Sequence, residues 1–134
     1  MTARAALRTA AVAATAFNGL TATGGGLAIL AGLEDFPPEW LHGTPFESYT
    51  VPALLLTGVG VSGLAAFGSL LGRRRRAGAV TLASGLLLAG FVAGEIALLD
   101  QTPPVPTPTE WVYLASGLLT AGLGVGFSTT RDER

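Results

Sequence analysis

The chain has 134 residues, a mean hydropathy of +0.53, 49% hydrophobic residues and only 13% charged residues. This composition excludes an ordinary soluble domain of the same length and favours a single integral membrane domain over residues 1–134. Cysteine is absent, which excludes disulfides, thiolate catalysis and cysteine-based zinc sites.

Four stretches with few or no charged residues are long enough to cross a bilayer as helices. Because a helix rises about 1.5 Å per residue, a hydrocarbon core of about 30 Å needs roughly 20 apolar residues. The uncharged stretches lie between Arg8 and Glu34, between Glu47 and Arg73, from Ala77 to Gly94, and between Glu110 and Arg131. We therefore predict helices at about 9–32, 51–72, 77–99 and 110–128, in an all-α integral membrane four-helix antiparallel bundle.

The first stretch has a second interpretation. Arg4 and Arg8, followed by an alanine-rich run with small residues, are also typical of a cleaved signal peptide. A membrane helix is favoured because the apolar run is longer than a usual signal core and no polar domain follows it.

The arginines predict the orientation of the helices, since basic flanking residues stay on the cytoplasmic side. Arg4 and Arg8 precede the first helix, Arg73, Arg74, Arg75 and Arg76 join the second and third, and Arg131 and Arg134 follow the fourth. The other two connections carry only acidic charges. We therefore expect a multi-pass protein of a prokaryotic plasma membrane with both termini in the cytoplasm.

The run Arg73–Arg76 has two possible roles, a nucleic-acid patch or a topology anchor. Because it lies between two apolar segments, we interpret it as an anchor that touches anionic lipid headgroups. The expected partners are therefore membrane lipids, together with further copies of the chain or a larger membrane assembly, and no nucleic acid.

The two outer connections are rich in proline and aromatic residues. The first, from Glu34 to Thr50, is suited to lying among the lipid headgroups without forming a regular helix. The second, from Thr102 to Thr109, holds four prolines and predicts a stiff, extended segment. Leu33–Pro38 also resembles Leu99–Pro104, which leaves open whether the two helical hairpins are a repeat.

Small residues are expected to hold the helices together, because lipid supplies no hydrophobic drive between them. The spacings that suggest close packing are Gly68 with Gly72, Gly90 with Gly94, Gly122 with Gly126, and the triplet Gly24–Gly26. Polar residues that must find partners inside the bundle are Asn18, Thr21, Thr57, Ser62 and Ser84.

Glu95 is the first candidate for function, because an ionisable group inside a membrane segment is costly. It lies near the outer end of its helix, so a structural, hydrogen-bonded role competes with proton or ligand binding. Tyr49, Asn18 and Glu47 complete the candidate ligand or proton site. His42 is the only histidine, and we interpret it as a solvated residue of the outer loop. We therefore predict no metal site, no cofactor and no catalytic residue.

Several of these residues also form a motif. The residues that carry it are Gly25-Gly26, Trp40-Leu41, Gly43-Thr44-Pro45-Phe46, Tyr49, Val51-Pro52, Leu54-Leu55, Gly90-Phe91-Val92 and Glu95. From about Gly24 to Gly124 the chain resembles uncharacterised small bacterial membrane proteins with four transmembrane helices and a GTPFxxYxxP-type outer loop. It departs from them at Ala53, where that group tends to have glycine. The resemblance implies the four-helix topology and no activity.

Three functions are compatible with the sequence. The favoured one is an accessory or oligomeric membrane component without enzymatic activity. The alternative is a small transporter or channel-like carrier with an outward-facing polar site around Glu95. An outer-face enzyme that uses Glu95, Glu47 and His42 is the least favoured.

Overall fold

The computed structural model describes residues 2–33, 36–98 and 108–130, and these residues are helical apart from their connections. Helix α1 spans Ala3–Leu30, α2 spans Thr50–Leu71, α3 spans Ala77–Leu98 and α4 spans Pro108–Thr129, with a short 3-10 helix at Pro38–Leu41. The prediction of an all-α protein with four long helices is confirmed for these ranges. Predictions that concern Glu34, Asp35, residues 99–107, Arg131 and Arg134 fall outside the described residues.

Three of the helices are suited to crossing a membrane. α2, α3 and α4 each have 22 residues and are apolar enough to span it. α1 is longer, with 28 residues, but is not among the described helices that meet this criterion. The polar residues Thr15 and Asn18 lower its average hydropathy although both are buried, at 0% and 2% exposure.

Two observed helix ends differ from the predicted ones, and local contacts explain the differences. α1 begins at Ala3 rather than near residue 9, because the Thr2 side chain caps it by accepting a hydrogen bond from the Ala5 N–H. It ends where Gly32 takes a φ of +77°, which a glycine tolerates without strain. α4 begins at Pro108 rather than near residue 110, since a proline in the first turn needs no hydrogen-bond partner for its nitrogen.

A tight turn joins α2 to α3. The Arg74 N–H donates to the Ser69 carbonyl at 2.9 Å, which closes the end of α2. Arg73 has a φ of +52°, a left-handed conformation that costs an L-residue about 1 kcal/mol. The short connection that the sequence predicts here is present, and an arginine occupies the position that favours glycine.

Glycines of α1 and α2 bring the backbones of these two helices into direct contact. A Cβ atom added to Gly19 would lie 2.8 Å from the Leu64 nitrogen. One added to Gly26 would lie 2.8 Å from the Ala53 carbonyl oxygen. Real Cβ atoms do not approach other atoms so closely, so only glycine fits at these positions.

Glycines also bring the backbones of α3 and α4 into direct contact. A Cβ atom on Gly85 would lie 2.6 Å from the Gly117 oxygen, and one on Gly124 would lie 2.8 Å from the Gly78 oxygen. Both pairs of helices are thus packed through glycines seven residues apart, Gly19 with Gly26, Gly78 with Gly85 and Gly117 with Gly124. Such a spacing returns to the same face of a helix after two turns.

The glycine spacings singled out from the sequence lie mostly elsewhere. Gly68, Gly90, Gly94 and Gly122 have no neighbouring atom within 4 Å of an added Cβ, so they point away from the bundle. Their expected role in packing within the chain was wrong. Spacing by four residues is too frequent in a chain with 19 glycines to identify the packed face.

Two apolar clusters fill the interior, one toward each end. Ala11, Leu70, Ala77 and Phe127 form the first, with Leu7 packed against it. We call this the arginine end, because Arg4, Arg8 and the turn Arg73–Arg76 adjoin it in sequence. Ala22, Val59, Leu88 and Val92 form the second cluster, nearer the α1–α2 loop, residues 31–49. We call that end the loop end.

The packing predicts opposite responses to the same substitution at two glycines of α3. Gly85→Ala should lower the free energy of unfolding by about 1–3 kcal/mol, because the methyl group overpacks the contact with α4. Gly90→Ala should leave stability unchanged or raise it by up to about 1 kcal/mol, since it faces outward and alanine favours helix. Thermal unfolding in detergent measures both variants. Equal effects would contradict the assigned faces of α3.

Candidate functional site

The α1–α2 loop is held in shape by its own side chains. The Tyr49 hydroxyl donates a hydrogen bond to the Pro37 carbonyl at 2.7 Å, which links the residue before α2 to the residue before the 3-10 helix. The Phe36 ring lies 5.8 Å from the Trp40 ring and 5.6 Å from the Tyr49 ring, between centroids. Leu41, 5% exposed, anchors the short 3-10 helix. Such a self-packed loop differs from a flexible connector.

The glycine-to-phenylalanine segment of the motif forms a turn in this loop. Gly43 has a φ of +84°, which explains why glycine stands at this position. The Thr44 hydroxyl donates to the Leu41 carbonyl at 2.7 Å and accepts from the Phe46 N–H at 3.2 Å. Gly43, Thr44 and Phe46 of the motif therefore have local structural roles in shaping the loop.

An open cleft lies between this loop and the ends of α1 and α2, with a volume of about 520 Å³. Its lining residues are Ile29, Leu30, Gly32, Phe36, Pro38, Leu41, Glu47, Ser48, Tyr49 and Thr50. We call it the loop cleft. Two of the four predicted site residues, Glu47 and Tyr49, meet here, whereas Asn18 and Glu95 do not line it.

The surroundings of Tyr49 favour its neutral form. Partial burial raises the pKa of the Tyr49 phenol above its ordinary value, and the nearby Glu39 carboxylate raises this pKa further. The phenol therefore remains protonated well beyond neutral pH and keeps its hydroxyl proton for the bond to Pro37.

Asn18 lies in a buried hydrogen-bond network between α1 and α4. Its side-chain nitrogen donates to the Thr120 hydroxyl at 2.8 Å, and the Ser116 hydroxyl donates to its side-chain oxygen at 2.5 Å. Thr120 in turn donates to the Ser116 carbonyl at 2.7 Å. The amide is thus satisfied at both ends, as a structural role requires. Sequence inspection missed Ser116 and Thr120, although their spacing places them on one face of α4.

The other polar residues of the helices mostly bond within their own helix. The hydroxyls of Thr21 and Thr57 donate to the carbonyls four residues earlier. Ser62 and Ser84 have their hydroxyl oxygens 3.3 Å apart, which links α2 to α3. Two buried hydroxyls, those of Thr23 and Thr81, have no hydrogen-bond partner among the described residues.

Glu95 is half-buried near the loop end of α3. Its carboxylate interacts electrostatically with Glu110 in the first turn of α4. The Tyr49 hydroxyl donates to Pro37 and not to Glu95. The four predicted site residues therefore occupy three separate places, and the role of Glu95 in ligand or proton binding stays a prediction.

His42 is exposed in the α1–α2 loop. Across residues 2–33, 36–98 and 108–130, no three side chains of His, Asp or Glu are grouped as a metal site would require. The grouping of His42 with carboxylates that an outer-face enzyme would need is not found in these ranges.

Arg4 and Arg8 have a structural role that sequence inspection did not suggest. The Arg4 guanidinium donates to the carbonyls of Phe127 and Thr130, at the end of α4, where carbonyls lack helical partners. It also lies 4.0 Å from the centroid of the Phe127 ring, and the Arg8 guanidinium lies 5.4 Å from it. These contacts join the start of α1 to the end of α4.

No protein-family model, curated protein or solved structure matches this chain. The resemblance to small bacterial membrane proteins with a GTPFxxYxxP-type loop therefore stays a prediction.

Replacing Tyr49 by phenylalanine tests the organisation of the loop. Because the folded state holds the phenol proton more tightly than the unfolded state, the stability that Tyr49 contributes is complete below about pH 10 and is lost as pH rises through the raised pKa. Tyr49→Phe should cost about 1 kcal/mol at neutral pH through the lost bond to Pro37. It should also flatten the loss of stability at alkaline pH. Thermal unfolding of both proteins from neutral pH to beyond about pH 10 checks the prediction. An unchanged slope of stability against pH in the alkaline range would contradict it.

Proposed function

We propose that the chain is a small multi-pass membrane bundle that serves as an accessory or oligomeric component of a plasma-membrane assembly. The observation that carries this proposal is the apolar outer surface of the helices. The residues that are more than half exposed include Leu20 and Leu27 on α1, Leu54 and Leu55 on α2, Leu86 and Leu87 on α3, and Leu118 and Leu119 on α4. Soluble monomers rarely expose contiguous apolar surfaces of this extent.

The proposed bundle includes α1 as a fourth membrane helix. In support, its buried polar side chain Asn18 bonds to α4, while Leu20 and Leu27 face outward. An antiparallel arrangement is supported by the contacts of α1 with α2, in which Gly19 meets Leu64 and Gly26 meets Ala53.

The proposed orientation places the arginine end in the cytoplasm. Its support is the first apolar cluster, which gathers Ala11, Leu70, Ala77 and Phe127 and so brings the arginine-bearing segments of α1, α2 and α3 together. The positive-inside rule then favours cytoplasmic termini. Lipid headgroups are the proposed partners of Arg73–Arg76.

Single cysteines test this topology against a background that has no native cysteine. A cysteine at Ser48 in the α1–α2 loop, and one at Gln101 between α3 and α4, should react with a membrane-impermeant thiol reagent on intact cells. Arg75→Cys, which retains three arginines of the turn, should react only after the membrane is permeabilised. Labelling of all three in intact cells, or of none, would contradict the proposed topology.

The accessory or oligomeric role is supported by what the described interior contains. Glycine contacts, apolar clusters and a satisfied amide network occupy it. Meanwhile Gly68, Gly90, Gly94 and Gly122 face outward with no neighbouring atom. Outward-facing small residues permit close approach of another membrane helix.

A pair of outward substitutions tests association. Gly90→Leu/Gly94→Leu should weaken self-association by about tenfold or more, because the leucines prevent close approach of a second helix. Gly24→Leu, which also faces outward with no neighbouring atom, is the matched control. Single-molecule photobleaching in lipid nanodiscs gives the oligomeric state. A wild-type chain that is monomeric at all densities, and that also purifies without other proteins, would overturn the proposal.

One observation favours a transporter as the second candidate function. Glu95 is half-buried in a proposed membrane helix and faces the charge of Glu110. Carboxylates within a membrane helix often mark an ion or proton pathway. An outward-facing polar site around Glu95 would then be the entrance.

A further inference from the structure

The loop cleft has one wall made of hydrocarbon. Ile29 and Leu30 at the end of α1 contribute to this wall, and so do Phe36, Pro38 and Leu41 of the loop. Leu30 is 41% exposed, and Leu27, one turn earlier on the same face of α1, is 52% exposed. The wall is therefore continuous with the outer apolar surface of the bundle, and an alkyl chain can reach it from the surrounding lipid.

The cleft also has a polar and negatively charged part. Glu47, Ser48, Tyr49 and Thr50 line it. Glu47 is exposed, and no described hydrogen bond or ion pair occupies its carboxylate. Glu39 adds a second negative charge close to Tyr49. Residues 36–49 contain no arginine or lysine, and the one histidine of this segment, His42, does not line the cleft.

Aromatic rings lie in and beside the lining of the cleft. The Phe36 ring packs against the rings of both Trp40 and Tyr49, at tilts of 32° and 50°. The face of an aromatic ring is electronegative and attracts an ammonium group, by about 0.5–2 kcal/mol depending on how far the pair is removed from water. Carboxylate and rings together favour a cation over a neutral or anionic group.

We propose that the loop cleft binds a cationic amphiphile, with its ammonium group beside Glu47 and the aromatic rings and its alkyl chain along Ile29, Leu30 and Leu41. The volume of about 520 Å³ is within the range of small-molecule sites. A phospholipid is less suited, because its phosphate would face Glu47 and no arginine lines the cleft to neutralise it. This site is independent of the proposed accessory role, which depends on the outer faces of the helices.

Decyltrimethylammonium is the probe, added to the full chain in maltoside micelles. The chain has two tryptophans, so Trp111→Phe leaves Trp40, which contacts Phe36, as the only fluorescent reporter. We expect a saturable change of Trp40 fluorescence with decyltrimethylammonium and none with decyl sulfate at the same concentrations. A linear, unsaturable change, or equal responses to both probes, would overturn the proposal by showing partition into the micelle only.

Three variants then separate the site from general surface charge. Glu47→Gln should weaken binding about fivefold, the equivalent of roughly 1 kcal/mol for a partly exposed ion pair. Glu47→Arg should reverse the preference toward decyl sulfate. Glu110→Gln, which removes one acidic charge from the first turn of α4 outside the lining of the cleft, should leave binding unchanged. Equal weakening by Glu110→Gln and Glu47→Gln would overturn the proposal. Circular dichroism confirms that each variant is folded, and since Glu47 has no described bond to lose, folding should persist.

Discussion

Direct contact between helix backbones at glycines is the constraint on which the rest of this structure depends. In the membrane setting that we propose, burying a leucine between two helices gains little, since lipid tails are as apolar as leucine itself. Association then depends on dispersion contacts, which fall away within fractions of an ångström. Gly26 against Ala53 and Gly85 against Gly117 supply that proximity in both pairs of helices.

This packing also decides where polar side chains can lie. Close helices leave room only for small hydroxyls and one amide, and each such group costs free energy unless it is bonded. Asn18 meets this requirement through Ser116 and Thr120 on α4. Individual bonds of this kind inside membranes are worth only about 1 kcal/mol. These bonds therefore determine which helix packs beside α1, and in which rotation, more than they add to the total free energy of unfolding.

Sequence reasoning located the helices but not their faces. Uncharged length fixes the number and approximate bounds of the helices, because a bilayer demands about 20 apolar residues. The predicted start of α1 was too late, because Arg4 and Arg8 lie inside the helix. Their guanidinium groups lie beside the Phe127 ring. Periodicity carries little information about faces when both the lipid side and the packed side are apolar. Gly85, which packs, and Gly90, which does not, therefore look alike in the sequence.

The two ends of the bundle follow different physical rules. At the arginine end, charge is either exposed, as in the turn at Arg73, or set against an aromatic ring and free carbonyls, as for Arg4. At the loop end, the described loop residues 36–49 are held together by the hydrogen bond from Tyr49 to Pro37. A connector between two helices needs only a few residues. A longer loop costs additional conformational entropy, and the ring contacts and hydrogen bond within residues 36–49 offset part of that cost.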